Sequence, residues 1–164
     1  MKQNIKYILL SLLVLLMVSC QKSQEYYEGL YVVGADQLSP VANLTIDDLP
    51  AVIGIKVASS CAIGDHVEVG MKATPELVES FNKEYKKNYE LLPEKSYKLE
   101  NTTLTIENGK NTSTDGVRLS VISRDLLKEG KTYLLPISIV SVSDKNLSVI
   151  DSVIDISPSP RDPK

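Results

Sequence analysis

The chain has 164 residues, with 18 lysines and arginines against 21 aspartates and glutamates, so that its net charge is −3. This balance gives no reason to expect binding to nucleic acid, which requires clustered Lys and Arg side chains. The length is that of one domain, large enough to bury a hydrophobic core.

The first 20 residues have the layout of a secretory signal that ends at a cysteine. Two lysines precede an apolar run over residues 8–16, which is too short for a transmembrane helix but typical of a signal peptide. Residues 17–20 (MVSC) resemble the lipobox of bacterial lipoproteins. The resemblance implies that Cys20 carries a diacylglycerol and begins the mature chain. The alternative is an ordinary secreted protein with a coincidental cysteine.

Extended segments begin after a short polar tether at residues 20–28. Residues 30–33 (LYVV) predict an edge strand, and residues 52–58 (VIGIKVA) predict a buried central strand. Residues 66–73 (HVEVGMKA) alternate between polar and apolar side chains. This alternation is typical of a half-buried strand in an antiparallel sheet.

One helix is predicted to interrupt the strands. Thr74 is a plausible N-cap, Pro75 suits the first helical position, and Asn88 is a reasonable end. We expect the apolar stripe of this helix to close one end of a sandwich. The stripe consists of Leu77, Val78, Phe81 and Tyr85.

Short strands resume after the helix, and Pro136 marks one of them as an edge strand or a bulge because proline cannot donate to a ladder. Residues 126–130 predict a single helical turn, and residues 157–164 contain too many prolines to pack. The predicted strands cover residues 97–99, 102–106, 116–122, 133–140 and 147–156.

About seven short strands separated by turns favour a mainly β fold, an immunoglobulin-like antiparallel β-sandwich with one short inserted helix. The predicted organisation has four parts. These are a lipoprotein signal peptide at 1–19, a tether at 20–28, the sandwich domain at 29–156 and a disordered tail at 157–164.

Half of the chain resembles a known family, and the likeness rests on five motifs in order. They are DHVEV at 65–69, LVESFN at 77–82, YELLP at 89–93 followed by Tyr97, LTIENG at 104–109 and GKTYLLPI at 130–137. This order resembles domain of unknown function 1735, found at the N-terminus of surface lipoproteins in Bacteroidales. The resemblance implies an immunoglobulin-like sandwich and a role in polysaccharide utilisation, and it supplies no catalytic residue.

Patterns for catalysis and metal binding are weak. His66 is the only histidine, and nucleophilic catalysis needs a base oriented by a third group, so an exposed structural role is favoured. Zinc requires several His or Cys ligands, and Asp47 and Asp48 lack further acidic residues at EF-hand spacing. We therefore expect no enzyme, no catalytic residue, no metal and no cofactor. A carboxylate pair for glycoside hydrolysis stays open, because nothing singles out a pair.

Tyrosine is the main aromatic available to stack on a sugar, since the chain has no tryptophan and one phenylalanine. Tyr85 and Tyr133 lie in patterns typical of core residues. Tyr89 and Tyr97 flank the LLP turn and are the candidate ligand-binding residues, with packing as the alternative role.

Two functions follow as expectations. The first is a lipid-anchored accessory that binds glycans at the cell surface. The second is a docking or spacer module without a ligand of its own, which would include a truncated form of a two-domain lipoprotein. The expected partners are the membrane, through the lipid on Cys20, and either a glycan or an outer-membrane protein. The expected location is the outer membrane, on its surface or periplasmic face.

Overall fold

The structure, a computed structural model, describes residues 29–35, 40–150 and 153–160. The predicted signal peptide (1–19), tether (20–28) and lipid attachment at Cys20 lie outside the described residues. They stay predictions.

The described residues form twelve strands and one α-helix, which confirms the mainly β class. The helix, α1, covers Val78–Tyr85 and follows a 3-10 turn at Pro75–Leu77. The strands are β1 Gly29–Val32, β2 Val41–Ile46, β3 Ala51–Ile55, β4 Val57–Ser59, β5 Val67–Ala73, β6 Glu90–Leu91, β7 Tyr97–Glu100, β8 Thr103–Ile106, β9 Val117–Val121, β10 Tyr133–Val142, β11 Ser148–Val149 and β12 Val153–Pro160.

Three sheets build the sandwich. The largest has the order β2-β12-β10-β5-β8, with β6 added beside β10. The two smaller sheets have the orders β11-β1-β4 and β3-β9-β7. Most ladders are antiparallel as predicted, but β1–β11, β6–β10 and β2–β12 pair in parallel. The immunoglobulin-like sandwich is confirmed, with parallel pairs that the sequence did not indicate.

One hydrophobic cluster joins the sheets. Val69 and Ile137 reach it from the large sheet, Leu119 from the β3-β9-β7 sheet and Leu30 from the third, all with 0% exposure. Strand β5 has the predicted alternation, because its Val and Met side chains are buried while Glu68 is exposed. This cluster is the main source of the hydrophobic stabilisation of the fold.

The predicted strand at 52–58 is wrong as a single element. Its first part pairs with β9 through Ile55 and Val117, and its second part pairs with β1 through Val57 and Val32. The chain thus passes from one sheet to another at Lys56. Both parts are apolar because each sheet faces the shared core, so hydrophobicity alone could not reveal the change of sheet.

Pro136 lies in a central strand, not on an edge. On one side of β10, the carbonyl of Leu134 accepts from the amide of Leu92, and the carbonyl of Pro136 accepts from the amide of Thr74. Pro136 therefore sits at the junction between β6 and the end of β5, where its missing N–H removes no ladder bond. The predicted bulge occurs instead between Ile139 and Ser141.

The predicted disordered tail is wrong for residues 157–160, which continue β12 and pair with β2. The amide of Asp155 donates to the carbonyl of Pro40, so the main-chain N–H and C=O groups of residues 155, 157 and 159 point to β2. The main-chain nitrogen of Pro158 points away from β2, toward the β10 side of the strand. It lies beyond Ile156, the last residue of β12 that pairs with β10. Proline is tolerated there because no donor is required. Residues 161–164 lie outside the described residues.

Two shorter predictions also fail. The segment predicted as one strand at 147–156 contains β11 and β12 as separate strands in different sheets. Residues 126 and 129–130 lie in turns, and residues 127–128 have no regular structure, so the predicted helical turn does not form. An isolated helical turn makes too few hydrogen bonds to be stable by itself.

Candidate functional site

The helix lies on the outer face of the large sheet and does not close an end of the sandwich. Ile154 and Ile156 of β12 point into the core, so the alternating residue Asp155 points to the opposite face, where α1 packs. The same face of β10 carries Ser138, whose hydroxyl lies 2.6 Å from the hydroxyl of Thr74. A partly polar layer thus separates the helix from the sheet.

Thr74 does not cap the helix as predicted. Its side chain makes no capping hydrogen bond, and its hydroxyl donates to the carbonyl of Pro136 or pairs with Ser138. The helix ends at Tyr85, before the predicted end at Asn88, and the next residue, Lys86, caps it in the left-handed conformation with φ of 52°. The contacts of Thr74 with Pro136 and Ser138 hold the start of the helix against β10.

A cavity of about 240 Å³ lies between the helix and the strand β12. Exposed Ser80 and Glu84 form its rim, half-buried Tyr85 forms part of its wall, and buried Asp155 lies deepest among its polar residues. The complete lining consists of Pro40, Leu77, Ser80, Phe81, Glu84, Tyr85, Val153 and Asp155.

Asp155 is the unusual residue of this cavity. The side chain is 2% exposed, and its Oδ1 atom has no hydrogen-bond partner among the described residues. Burial raises the pKa of the carboxyl from 3.8 to about 6. Buried polar groups are nearly always hydrogen-bonded, because an unpaired one carries the full cost of leaving water. An unpaired carboxylate in a cavity wall is therefore a candidate ligand contact.

An aromatic pair forms the neighbouring wall. The ring centroids of Phe81 and Tyr85 are 4.5 Å apart, and the rings are stacked with 27° between their planes. Desolvation raises the pKa of Tyr85, and the charges of Glu84 and Asp155 act in the same direction. The phenol therefore stays protonated and can donate a hydrogen bond.

The structure does not bring the two predicted ligand tyrosines onto one face. The Tyr89 ring lies 5.8 Å from the Phe81 ring, beside the cavity, and both main-chain groups of Tyr89 bond to the Asn82 side chain at 2.9 Å. Tyr97 belongs to β7, where it is opposite Val121 and packs against the main core. A ligand-binding role for either residue stays a prediction.

Sequence reasoning missed Asp155 because the segment reads as a core strand. A single acid between Ile154 and Ile156 was the available signal, but an acid at an outward-facing strand position is ordinary, and only the structure shows that a helix buries this one. Tyr85 was assigned to the core, and the structure places it half-buried in the cavity wall.

Other candidate chemistry is sparse. The side chain of His66 is 65% exposed, and its Nδ1 atom lies 3.3 Å from Oδ1 of Asp65, which agrees with the exposed structural role expected for it. Within the described ranges, no group of three or more His, Cys, Asp or Glu side chains could hold a metal ion. No helix there is long and apolar enough to cross a bilayer.

Comparison with known proteins identifies the family. Residues 26–146 match a family model described as an N-terminal domain. A solved multidomain protein from Bacteroides ovatus that includes domain of unknown function 1735 shares the fold, with 12% identity and a TM-score of 0.54, over 73% of this chain and 38% of its own. The chain belongs to the domain of unknown function 1735 family. The resemblance seen in the sequence is thereby confirmed.

Two further solved structures share the fold of the present chain. One is a Bacteroides ovatus protein to which carbohydrate binding has been ascribed, with 24% identity and a TM-score of 0.65, over 80% of this chain and 36% of that one. The other is EndoBT-3987 of Bacteroides thetaiotamicron with a Man5GlcNAc product, with 14% identity and a TM-score of 0.63, over 80% and 30% of the two chains.

These likenesses concern the fold alone, since each identity is below 25%. The chain spans less than two fifths of each of these longer proteins. No curated protein sequence matches the chain.

Proposed function

We propose that this protein is a lipid-anchored module of the cell envelope that binds glycans as a non-catalytic accessory. The observation that carries the proposal is the cavity lined by both Tyr85 and Asp155, a buried carboxyl whose Oδ1 atom has no hydrogen-bond partner among the described residues. A sugar offers hydroxyl donors along its edge and apolar C–H groups on its faces. The cavity presents an acceptor in Asp155 and an aromatic wall in Phe81 and Tyr85.

Physical features of the cavity fit binding better than catalysis. Its walls are mainly apolar and aromatic, with few polar groups, which is the usual composition of a ligand site. Glycoside hydrolysis needs two carboxyls about 5–10 Å apart on either side of the scissile bond. Asp155 is 2% exposed whereas Glu84 is exposed, and this unequal exposure favours a binding role for the two carboxyls.

The comparisons support a glycan-related role only in outline. Carbohydrate binding is ascribed to one structural neighbour, and another was solved with a glycan product. This chain corresponds to about a third of each of those two proteins.

The location rests on the sequence. The apolar run at 8–16 and the MVSC motif predict export and acylation at Cys20, and the net charge of −3 gives no electrostatic attraction to anionic lipid. The acyl chains would then supply the membrane contact. We place the protein at the outer membrane, on its surface or periplasmic face.

Glycan binding can be tested with the soluble fragment 21–164. We expect saturation-transfer NMR to detect contact with at least one member of a panel of plant and host glycans, with millimolar affinity or better. Backbone amide shifts should change in residues 80–85 of the helix. The absence of any binding at millimolar sugar would contradict the glycan-binding role.

Acylation can be tested separately by mass spectrometry of membrane-extracted protein. We expect the chain to begin at Cys20 with added acyl mass, and we expect Cys20→Ser to leave the membrane fraction. An intact, unacylated N-terminus in the wild type would contradict the proposed location.

A docking role is the second candidate, and an exposed groove favours it. The groove is floored by Gly54 and Gly116, bordered by the partly exposed Val33 and Val52, and flanked by basic side chains including Arg118. Small residues beside exposed aliphatic groups suit contact with another protein surface.

This second candidate predicts a specific loss of contact. Cross-linking on intact cells should join the wild-type protein to an outer-membrane protein, and Val52→Glu should abolish the product. Val140→Glu, at an exposed site outside the groove, is the matched control. Equal cross-linking of both variants would contradict docking at this groove.

A further inference from the structure

We propose that the cavity between α1 and β12 accepts a single sugar residue that is neutral or carries an amino group, and that it rejects acidic sugars. This inference rests on the proposed glycan-binding function and assigns the class of ligand. Asp155 would accept a hydrogen bond from the ligand at the bottom of the cavity, and Glu84 would set the charge at the rim.

The size of the cavity sets the length of the ligand. Its volume is about 240 Å³, which is below the range of about 300–1,000 Å³ that is usual for sites holding drug-sized ligands. One pyranose ring suits this volume, whereas a chain of several rings does not. The cavity would therefore recognise the end of a glycan or a single side branch.

The charge of the lining sets the selectivity. Glu84 and Asp155 are its two ionisable carboxyl groups, and no Lys or Arg belongs to the lining described here. A uronic or sialic acid would bring a further carboxylate close to both groups without a cation to offset it. Like charges in a partly desolvated site repel more strongly than in water. An ammonium group would instead be attracted.

The unpaired Oδ1 atom of Asp155 would set the orientation of the bound sugar. Ser80 already donates its hydroxyl to the carbonyl of Leu77 at 2.8 Å, so its oxygen is available mainly as an acceptor. The Oδ1 atom of Asp155 also requires a donor. A ligand rich in O–H or N–H groups satisfies both, and an analogue without a donor leaves the buried carboxyl unpaired.

Matched methyl glycosides test the selectivity directly. We would titrate the 21–164 protein with three series, based on glucose, galactose and mannose, each with its uronic acid and its 2-amino analogue. In the series that binds, we expect the uronic acid to bind at least about tenfold more weakly than the neutral sugar. Equal or tighter binding of the uronic acid would overturn the inference.

Two variants locate the selectivity in the named carboxyls. Asp155→Asn keeps the size of the side chain, and we expect it to remove most of the preference for the amino sugar. Glu84→Gln is at an exposed position where folding is not at risk, and we expect it to raise the relative affinity for the uronic acid about threefold. Glu79→Gln is the control, since Glu79 is exposed on the same helix but is not part of the lining.

The outcomes separate this inference from the proposed function. If no glycan binds, the function fails and the inference fails with it. If a glycan binds with amide shifts near Tyr97 and neither Asp155→Asn nor Glu84→Gln changes its affinity, only the inference fails. Shifts confined to residues 80–85 and 153–155, together with discrimination against uronic acids that Glu84→Gln weakens, support it.

Discussion

Replacing Asp155 with asparagine is expected to make the protein more stable at neutral pH, because the change removes an ionised group from a buried site. Burial raises the pKa of this carboxyl from 3.8 to about 6. Each unit corresponds to about 1.4 kcal/mol, so ionisation disfavours the folded state by up to roughly 3 kcal/mol above pH 6. The asparagine amide also needs partners in the same place, which reduces the expected gain to about 1–2 kcal/mol.

The gain should depend on pH in a defined direction. The folded protein holds this proton more tightly than the unfolded chain does, because burial raises the pKa. The stabilising contribution of Asp155 is therefore complete below its unfolded pKa of 3.8 and is lost as the pH rises through about 6. Asp155→Asn should match the wild type near pH 4 and exceed it at pH 7–8.

Urea unfolding of the 21–164 protein at pH values from 4 to 8 measures this difference. Asp48→Asn is the control, because Asp48 is exposed and its replacement should change the free energy of unfolding by less than about 0.5 kcal/mol at each pH. A variant that is less stable than the wild type at pH 8, or a difference that does not change with pH, would refute the reasoning about Asp155.

Three further predictions concern stability. Leu92→Ala should lower the free energy of unfolding by about 2–5 kcal/mol, because Leu92 is 0% exposed. Leu91→Ala, at a neighbour that is 40% exposed, should lower it by less than about 1 kcal/mol. Chemical denaturation compares the two variants, and similar losses would contradict the difference in burial. Asn82→Ala should cost about 1–2 kcal/mol in the same assay, because it removes both bonds to the main chain of Tyr89. Deleting residues 157–164 should lower the free energy of unfolding by about 2–4 kcal/mol, because β2 loses part of its parallel partner. Deleting only residues 161–164 leaves that pairing intact. Equal denaturation midpoints for the two deletions would exclude a stabilising role for residues 157–160.

The parts of the fold that could be predicted are those set by local pattern. The alternation at 66–73 predicted β5 because a half-buried strand must place every second side chain in the core. The spacing of Val78 and Phe81 predicted the helix for a similar reason, and both residues are buried. In each case the signal comes from residues within one element, so it does not depend on what the element pairs with.

The candidate site could not be predicted in this way, because its residues come from distant parts of the chain. Glu84 and Tyr85 lie in a helix, and Asp155 lies in the final strand. They meet only because β12 pairs beside β10 and the helix covers the same face. The tyrosines chosen from the sequence are close along the chain, but Tyr89 precedes β6 beside the large sheet, whereas Tyr97 lies in β7 of a smaller sheet.

The sequence by itself determined the mainly β class, the position of the helix and the family, because these follow from periodicity and from motifs in order. Tertiary structure alone decided where the chain changes sheets at Lys56, why Pro158 can lie in a strand, and which face the helix covers. The physical reason is that the pattern of apolar residues along a segment indicates which of its side chains are buried. The strand with which the segment pairs is decided by contacts between distant parts of the chain. The buried position of Asp155, with its unpaired Oδ1 atom, follows only from that long-range pairing, which places β12 beneath the helix.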